Sequence, residues 1–376
     1  MITLPRVEAL CALEQPYRAD DECDHLFDAA MRELVDYHCE SSPGYRRWLE
    51  LNGFTAQRLA SLTDWSQLPP IFANYFKRNL LLSKTGEHAL ELTSSGTTGQ
   101  KSRMRYDARS LSAGQRMVGR VFNHYGWNTP DEPCNYLLFN YEPASAMGVG
   151  TAYTGQFLCK YAPVNRAVYA LRHNGKSNEF DPFGVIRTLR EFAEEGLPVR
   201  IFGFPAFLWF VLQRLAQMGL PSLALHPDSL VFLGGGWKTH ANEAIPKAEL
   251  YRRLSDQLGL RDVRCRDGYG SVEHPVPYVE CPRHHFHVPS WARAWTRDTA
   301  TLARLPYGAA GFLHLASPYI TSSPAHSMLL SDIAVLHPAE HCGCGLSTDW
   351  FELQGRAGTG KSRSCAMAAS ELIKEF

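Results

Sequence analysis

Between residues 90 and 260 the chain alternates short apolar runs with amphipathic stretches, and this alternation restricts its fold more than any other feature. YLLF at 136–139, VRIFGF at 199–204 and SLVFLGGG at 229–236 read as strands. Residues 183–195, 206–218 and 243–258 carry apolar side chains at helical spacing. Strands that take turns with helices of this length are joined by crossovers, so the expectation is an α/β fold with at least one largely parallel sheet. The first 85 residues read as helical. CDHLFDAAMRELVDYHC at 23–39 places Leu26, Phe27, Ala30, Leu34 and Tyr37 on one face. Pro69 and Pro70 then break the chain before a second short helix ending in Leu80, Leu81 and Leu82. Beyond Asp267 the text is loop-rich and aromatic, followed by two strands, GFLHLA and SDIAVL.

Composition excludes several classes. A chain of 376 residues, 45% hydrophobic, can bury a core of two or three lobes. Lys+Arg and Asp+Glu both total 38. Without a basic excess or a basic run, general nucleic-acid binding is not expected. The N-terminus lacks the pattern of a signal peptide. The most apolar run, 199–212, is interrupted by Gly203 and Pro205 and falls short of the roughly 20 residues that span a bilayer. The ten cysteines form no secreted disulfide framework, which points to a reducing, cytoplasmic setting.

The strongest local signal is LTSSGTTGQKS. Thr93, Ser94, Ser95, Gly96, Thr97, Thr98 and Gly99 stand in a row, followed by Gln100 and Lys101. Gly96 and Gly99 permit backbone angles and close approaches that a side chain would block. Hydroxyls and successive N–H groups can then cradle phosphate oxygens. A solvated Ser/Gly/Thr linker has the same composition, but the order S-S-G-T-T-G with a lysine after it is much rarer.

SSGTTG resembles the phosphate loop of the adenylate-forming superfamily, which includes acyl-CoA ligases, luciferases and peptide-synthetase adenylation domains. Further stretches follow in that superfamily's order. LGGG, with Gly234, Gly235 and Gly236, resembles the glycine segment lining the adenine pocket. DGYGSVE resembles the Y-G-x-T-E segment; the resemblance implies that Asp267, Tyr269, Gly270 and Ser271 border the nucleotide, Tyr269 packing on adenine, and that Glu273 holds magnesium. Asp332, ending an apolar strand, takes the place of the ribose-binding aspartate, and Arg356 that of the hinge arginine. Lys101 and Glu273 are the candidate catalytic groups of the core. The implied fold is an adenylate-forming large N-terminal domain, with helices around largely parallel sheets. The chemistry is attack of a carboxylate on the α-phosphorus of ATP, in which the protein mainly positions reactants and neutralises charge.

Within the superfamily, SPGYRRWLELNGF, LPPIFANYFKRNLLLS and GGGWKT resemble the acyl-protein synthetases of bacterial bioluminescence and the related phenylacetate–CoA ligases. Those ligases show a Cys…His…Cys-x-Cys arrangement, and CPRHHFH with CGCG is similar to it. Cys281, His287, Cys342 and Cys344 would make a closed tetrahedral set for structural zinc. His284 and His285 compete for the histidine place.

The chain also departs from the pattern. Only 20 residues follow Arg356, where most relatives carry a mobile C-terminal domain with a catalytic lysine. The proline usual before the loop lysine is missing. The short tail carries Cys365 close to Lys361 and Arg363, which favour the thiolate. Acyl-protein synthetases carry the acyl group on such a cysteine, so Cys365 is a candidate acyl acceptor. GRAGTGKS at 355–362 matches the Walker pattern to the letter, but only 14 residues follow it and the strands of a P-loop domain have no room. It reads as coincidence. The expected organisation is a core at 1–355, made of a helical region 1–85, α/β lobes 86–280 and a zinc-knuckle, strand-rich lobe 281–355, with a tail at 356–376.

The leading expectation is an ATP- and Mg²⁺-dependent enzyme that adenylates a fatty or aromatic acid. It hands the acyl group to its own cysteine, a carrier or a reductase partner. Phe204, Phe207, Trp237 and Tyr269 would accommodate a flat ring or an alkyl chain equally. An aryl-acid adenylating enzyme without self-acylation and a degenerate nucleotide-binding scaffold are the alternatives. A homodimer fits the family.

Overall fold

The computed structural model describes residues 3–84, 88–94, 101–142, 150–173 and 178–357. Four helices open the chain: α1 (Pro5–Cys11), α2 (Asp21–Ser41), α3 (Pro43–Leu51) and α4 (Ala56–Ala60). The Asp20 carboxylate accepts the Cys23 N–H at 2.9 Å and so caps α2. Asp21, Glu22 and Asp24 in its first turn complement the positive end of the helix. Phe27, Ala30, Met31, Leu34 and Val35 turn the apolar face into the core. The region to residue 85 is not helical throughout. Pro69 and Pro70 extend the chain into β1 (Ile71–Phe72). The helix expected to end at Leu80–Leu82 is only a 3₁₀ turn, Ala73–Lys77, with irregular chain after it.

A hairpin of β2 (His88–Thr93) and β3 (Arg103–Asp107) leads into α5 (Ala108–His124). There follow β4 (Cys134–Tyr141), α6 (Gly150–Leu158), β5 (Val164–His173), β6 (Asn178–Phe180), α7 (Pro182–Glu195), β7 (Val199–Gly203), α8 (Pro205–Gln217), β8 (Leu230–Gly234), α9 (Lys247–Leu258), β9 (Cys265–Ser271) and β10 (His274–Val279). These strands make a seven-stranded sheet in the order β10-β9-β8-β7-β4-β5-β6. Its inner five strands run parallel, with antiparallel edges. The expected α/β architecture is therefore present. α9 begins at Lys247 rather than 243, because Pro246 cannot sit inside a helix and residues Lys238–Glu243 form a 3₁₀ turn instead.

The last third is richer in strands than its loop-like text implies. DGYGS lies within β9, whose Val231–Cys265 and Gly234–Gly268 pairings hold it to β8. After it come β11 (Phe286–His287), β12 (Arg293–Arg297), β13 (Ala310–Ala316), β14 (Ser327–His337) and β15 (Trp350–Arg356). These form a second sheet, β11-β15-β14-β13-β12, onto which β1 adds in parallel beside β14. Asp332 does not end a strand; it sits midway along β14. Among the described residues no helix is long and apolar enough to cross a membrane.

Gly203 closes β7 at φ +126°, where an added Cβ would lie 2.5 Å from the Phe139 carbonyl oxygen of the neighbouring strand. Gly203→Ala is expected to cost about 2–4 kcal/mol, from combined backbone strain and overpacking. A fall in the urea midpoint at unchanged m-value checks this.

Candidate active site and metal centre

β9 meets the middle of β14 and the adjoining β15 through Tyr269, and the candidate site lies at this junction of the two sheets. Tyr269 donates its hydroxyl to Asp332 Oδ2 at 3.2 Å. Arg356 is the cross-strand partner of Asp332 on β15, and its Nε lies 3.6 Å from Asp332 Oδ1. Burial raises the Asp332 carboxyl above its ordinary range, against the opposing pull of the Arg356 charge. Burial and the Asp332 charge likewise keep the Tyr269 phenol neutral. One side of the Tyr269 ring rests on Phe351, Phe286 and Tyr278 at centroid distances of 5.7, 6.1 and 6.2 Å.

Gly268 leaves room beside this ring: a Cβ there would meet the Phe232 ring at 2.7 Å, whereas one on Gly270 would only reach the Val276 carbonyl oxygen at 3.4 Å, the edge of ordinary contact. Gly234 pairs with Gly268, after which Gly235 and Gly236 turn the chain at φ +76° and +66°. Ser271 Oγ accepts the His274 N–H at 3.1 Å and closes the β9–β10 turn, which carries buried Glu273. Asp267 is engaged differently from its neighbours: its carboxylate lies 3.2 Å from Lys247 Nζ.

Of the glycine- and hydroxyl-rich loop, Ser95, Gly96, Thr97, Thr98 and Gly99 lie outside the described residues. Its stem is visible. Thr93 ends β2, and Ser94 is bonded to Ser102 through its backbone N–H and through its Oγ, at 3.0 and 2.9 Å. Lys101 is exposed just before β3. Tyr106, from the same hairpin, donates its hydroxyl to the Val272 carbonyl. That bond ties the hairpin to the turn holding Glu273. Spacing gave no sign of Tyr106, Phe286, Phe351 or Lys247, because these contacts are made between elements far apart in the chain. Cys365 lies outside the described residues, as does the Walker-like string beyond 357.

The second constellation also assembles. One ligand atom each from Cys281, His287, Cys342 and Cys344 lie within 4.8 Å of one another. Cys281 Sγ is 3.5 Å from Cys342 Sγ, and His287 Nε2 is 3.2 and 3.3 Å from the sulfurs of Cys342 and Cys344. The other ring nitrogen of His287 meets the Thr348 carbonyl at 2.7 Å, which orients the ring. Backbone N–H groups of Arg283 and Leu346 point at the sulfurs of Cys281 and Cys344. His284 turns away to Asp262 at 2.8 Å. His285 lies 3.1 Å from the Cys342 sulfur but stacks on Trp350, and it stands outside the four-residue set. Burial lowers His287 to about 4 and raises the thiols of Cys281 and Cys342. A neutral imidazole beside three sulfurs is a donor set that could hold a metal ion, whose charge would draw the protons from the thiols. None of the nine described cysteines forms a disulfide.

This architecture is that of the adenylate-forming enzymes. It aligns with 2-hydroxyisobutyryl-CoA ligase, solved in an open conformation with 2-HIB-AMP and CoA, at a TM-score of 0.66 and 15% identity, over 92% of this chain and 78% of the other. The same ligase in its thioesterification state aligns at 0.66 and 16% identity, over 91% and 69%. At that identity the likeness speaks for the fold. The chain belongs to the acyl-protein synthetase family, LuxE, whose model matches residues 6–374, and it is accordingly a ligase. It is 23% identical to the long-chain-fatty-acid–luciferin-component ligase of Vibrio harveyi, over 93% of this chain and 89% of that protein. The enzyme of the same name from Aliivibrio fischeri is 22% identical over 94% and 90%.

Proposed function

We propose that the chain joins a long-chain fatty acid to ATP, giving an acyl-adenylate and pyrophosphate, and then passes the acyl group to a thiol. The convergence of Tyr269, Asp332 and Arg356 beside a glycine-lined strand end carries this reading. Tyr269 offers a ring face to adenine, and Asp332 offers two carboxylate oxygens to the ribose hydroxyls. Residues 93–99 and Lys101 take the phosphates, and Arg356 reaches the nucleotide from the end of β15. Glu273 offers a carboxylate to magnesium, which neutralises phosphate charge when bound. The acid's carboxylate oxygen attacks the α-phosphorus and the α–β bridge breaks, releasing pyrophosphate. A thiolate then attacks the acyl carbon and AMP leaves.

Cys365 is the proposed thiol, followed by transfer to a carrier or reductase in a reducing compartment. Residues 1–355 are then the catalytic core and 356–376 the acyl-bearing tail. Mass spectrometry after incubation with ATP, magnesium and a fatty acid tests both steps. Wild type is expected to show acyl-AMP and protein heavier by one acyl group. Cys365→Ala should keep the acyl-AMP and lose the acyl-protein; an acylated variant would remove the covalent role.

Cys281, His287, Cys342 and Cys344 are proposed to hold structural zinc. Elemental analysis should find about one zinc per chain, lost in Cys342→Ser together with several kcal/mol of stability. Wild type purified from zinc-containing medium without the metal would overturn the assignment.

A further inference from the structure

Glu280 is fully buried, and four neighbours meet it. Its carboxylate accepts from Lys247 Nζ, from the Tyr251 hydroxyl at 2.9 Å and from the Asp267 N–H at 2.8 Å, and His284 Nδ1 lies 3.5 Å away. A buried carboxylate needs a counter-charge, and Lys247 supplies it. Yet Lys247 is not spent on that anchor. Its ammonium also lies 3.2 Å from Asp267, and both of these side chains stay partly open, at 38% and 27% exposure against 0% for Glu280.

This partly open pair adjoins Tyr269, the ring proposed to pack on the nucleobase. Asp267 and Tyr269 are two residues apart on β9 and so share a face of the strand. Lys247 Nζ lies 4.7 Å from the centroid of the Phe286 ring, which itself packs against Tyr269. At this edge the protein presents a carboxylate that can only accept and an ammonium that can only donate. The exocyclic amino group of adenine with its adjacent ring nitrogen is a donor beside an acceptor, the complementary pattern.

We propose that Lys247 is a specificity-determining positioning residue: braced by Glu280, it holds the Asp267 carboxylate to receive the 6-amino group of the ATP base. This rests on the nucleotide site proposed above. Burial holds the Asp267 carboxyl above its ordinary range, and the Lys247 charge opposes that shift and favours the ionised acceptor. A purine with an oxygen at position 6 sets acceptor against acceptor and loses a charge-assisted hydrogen bond.

The test is equilibrium competition against a fluorescent ATP analogue on the full chain with magnesium, using ATP and inosine triphosphate as competitors. Removing the lysine alone would strand the Glu280 charge, so the informative variant is Lys247→Met combined with Glu280→Gln. Wild type is expected to bind ATP about tenfold or more tightly than inosine triphosphate, the loss typical of a site built around a missing donor. In the double variant ATP should weaken about tenfold and the preference should fall below about threefold. Lys247→Arg, which keeps the charge, should retain most of the preference. A purely structural ion pair would weaken both nucleotides equally. An unchanged ratio in the double variant, or no preference in wild type that binds ATP, overturns the inference alone. Failure of wild type to bind ATP overturns both it and the proposed nucleotide site.

Discussion

Asp332→Ala is expected to lower kcat/KM for ATP in pyrophosphate exchange by about a hundred- to a thousandfold, while the chain still folds. Two charge-assisted hydrogen bonds to ribose would be lost, each worth roughly 1.5–2 kcal/mol, the lower part of the usual range. Truncation leaves little behind to penalise. The Arg356 side chain is 62% exposed and can turn to water, and the Tyr269 hydroxyl loses one acceptor. Arg356→Gln should cost less, about tenfold, because a largely exposed cation is screened by water and gains little from its ion pairs. Exchange kinetics beside thermal melts check both variants. A loss below about fivefold for Asp332→Ala, in folded protein, would remove Asp332 from the nucleotide site.

The second large effect is acid sensitivity. His38, His274, His314 and His326 are almost wholly buried, and burial lowers all four, His274 and His326 to about 3. Their contacts suit the neutral form: His314 Nδ1 accepts from Arg297 Nε at 3.0 Å, and His38 stacks on His326 with centroids 5.2 Å apart. With folded values below the unfolded one of about 6.5, the unfolded chain takes up more protons beneath that pH. The stabilisation is therefore complete above about pH 6.5 and is lost as pH falls toward 3. Each histidine contributes about 1 kcal/mol over the first pH unit below 6.5 and about 1.4 kcal/mol per unit further down, so stability should drop by roughly 4 kcal/mol between pH 6.5 and 5.5. Urea titrations over that range measure it. His326→Gln should reduce the slope by about one proton, and a flat profile would contradict the burial of these rings.

The parallel sheet was legible because β4, β7 and β8 are short apolar runs and the helices between them are amphipathic, whereas β5 (Val164–His173), mixed in polarity and half exposed, went unread. β9 was not legible either, since glycines and polar residues fill it wherever it approaches Phe232 and the next strand. β1 was hidden too, as two residues gain strand character only by pairing with β14. The grouping of Tyr269, Asp332 and Arg356, and of the four metal-ligand residues, followed motifs whose order the chain preserves. Lys247, Tyr251 and Glu280 carry no motif. They meet only because α9 packs beside the end of β10, and no spacing in the text announces that contact.

The central claim is acid activation by adenylation. Acid-dependent exchange of pyrophosphate into ATP, with magnesium and a panel of fatty and aromatic acids, tests it most directly. The account predicts exchange that requires a long-chain fatty acid. No exchange with any acid, in protein that binds ATP, would contradict it.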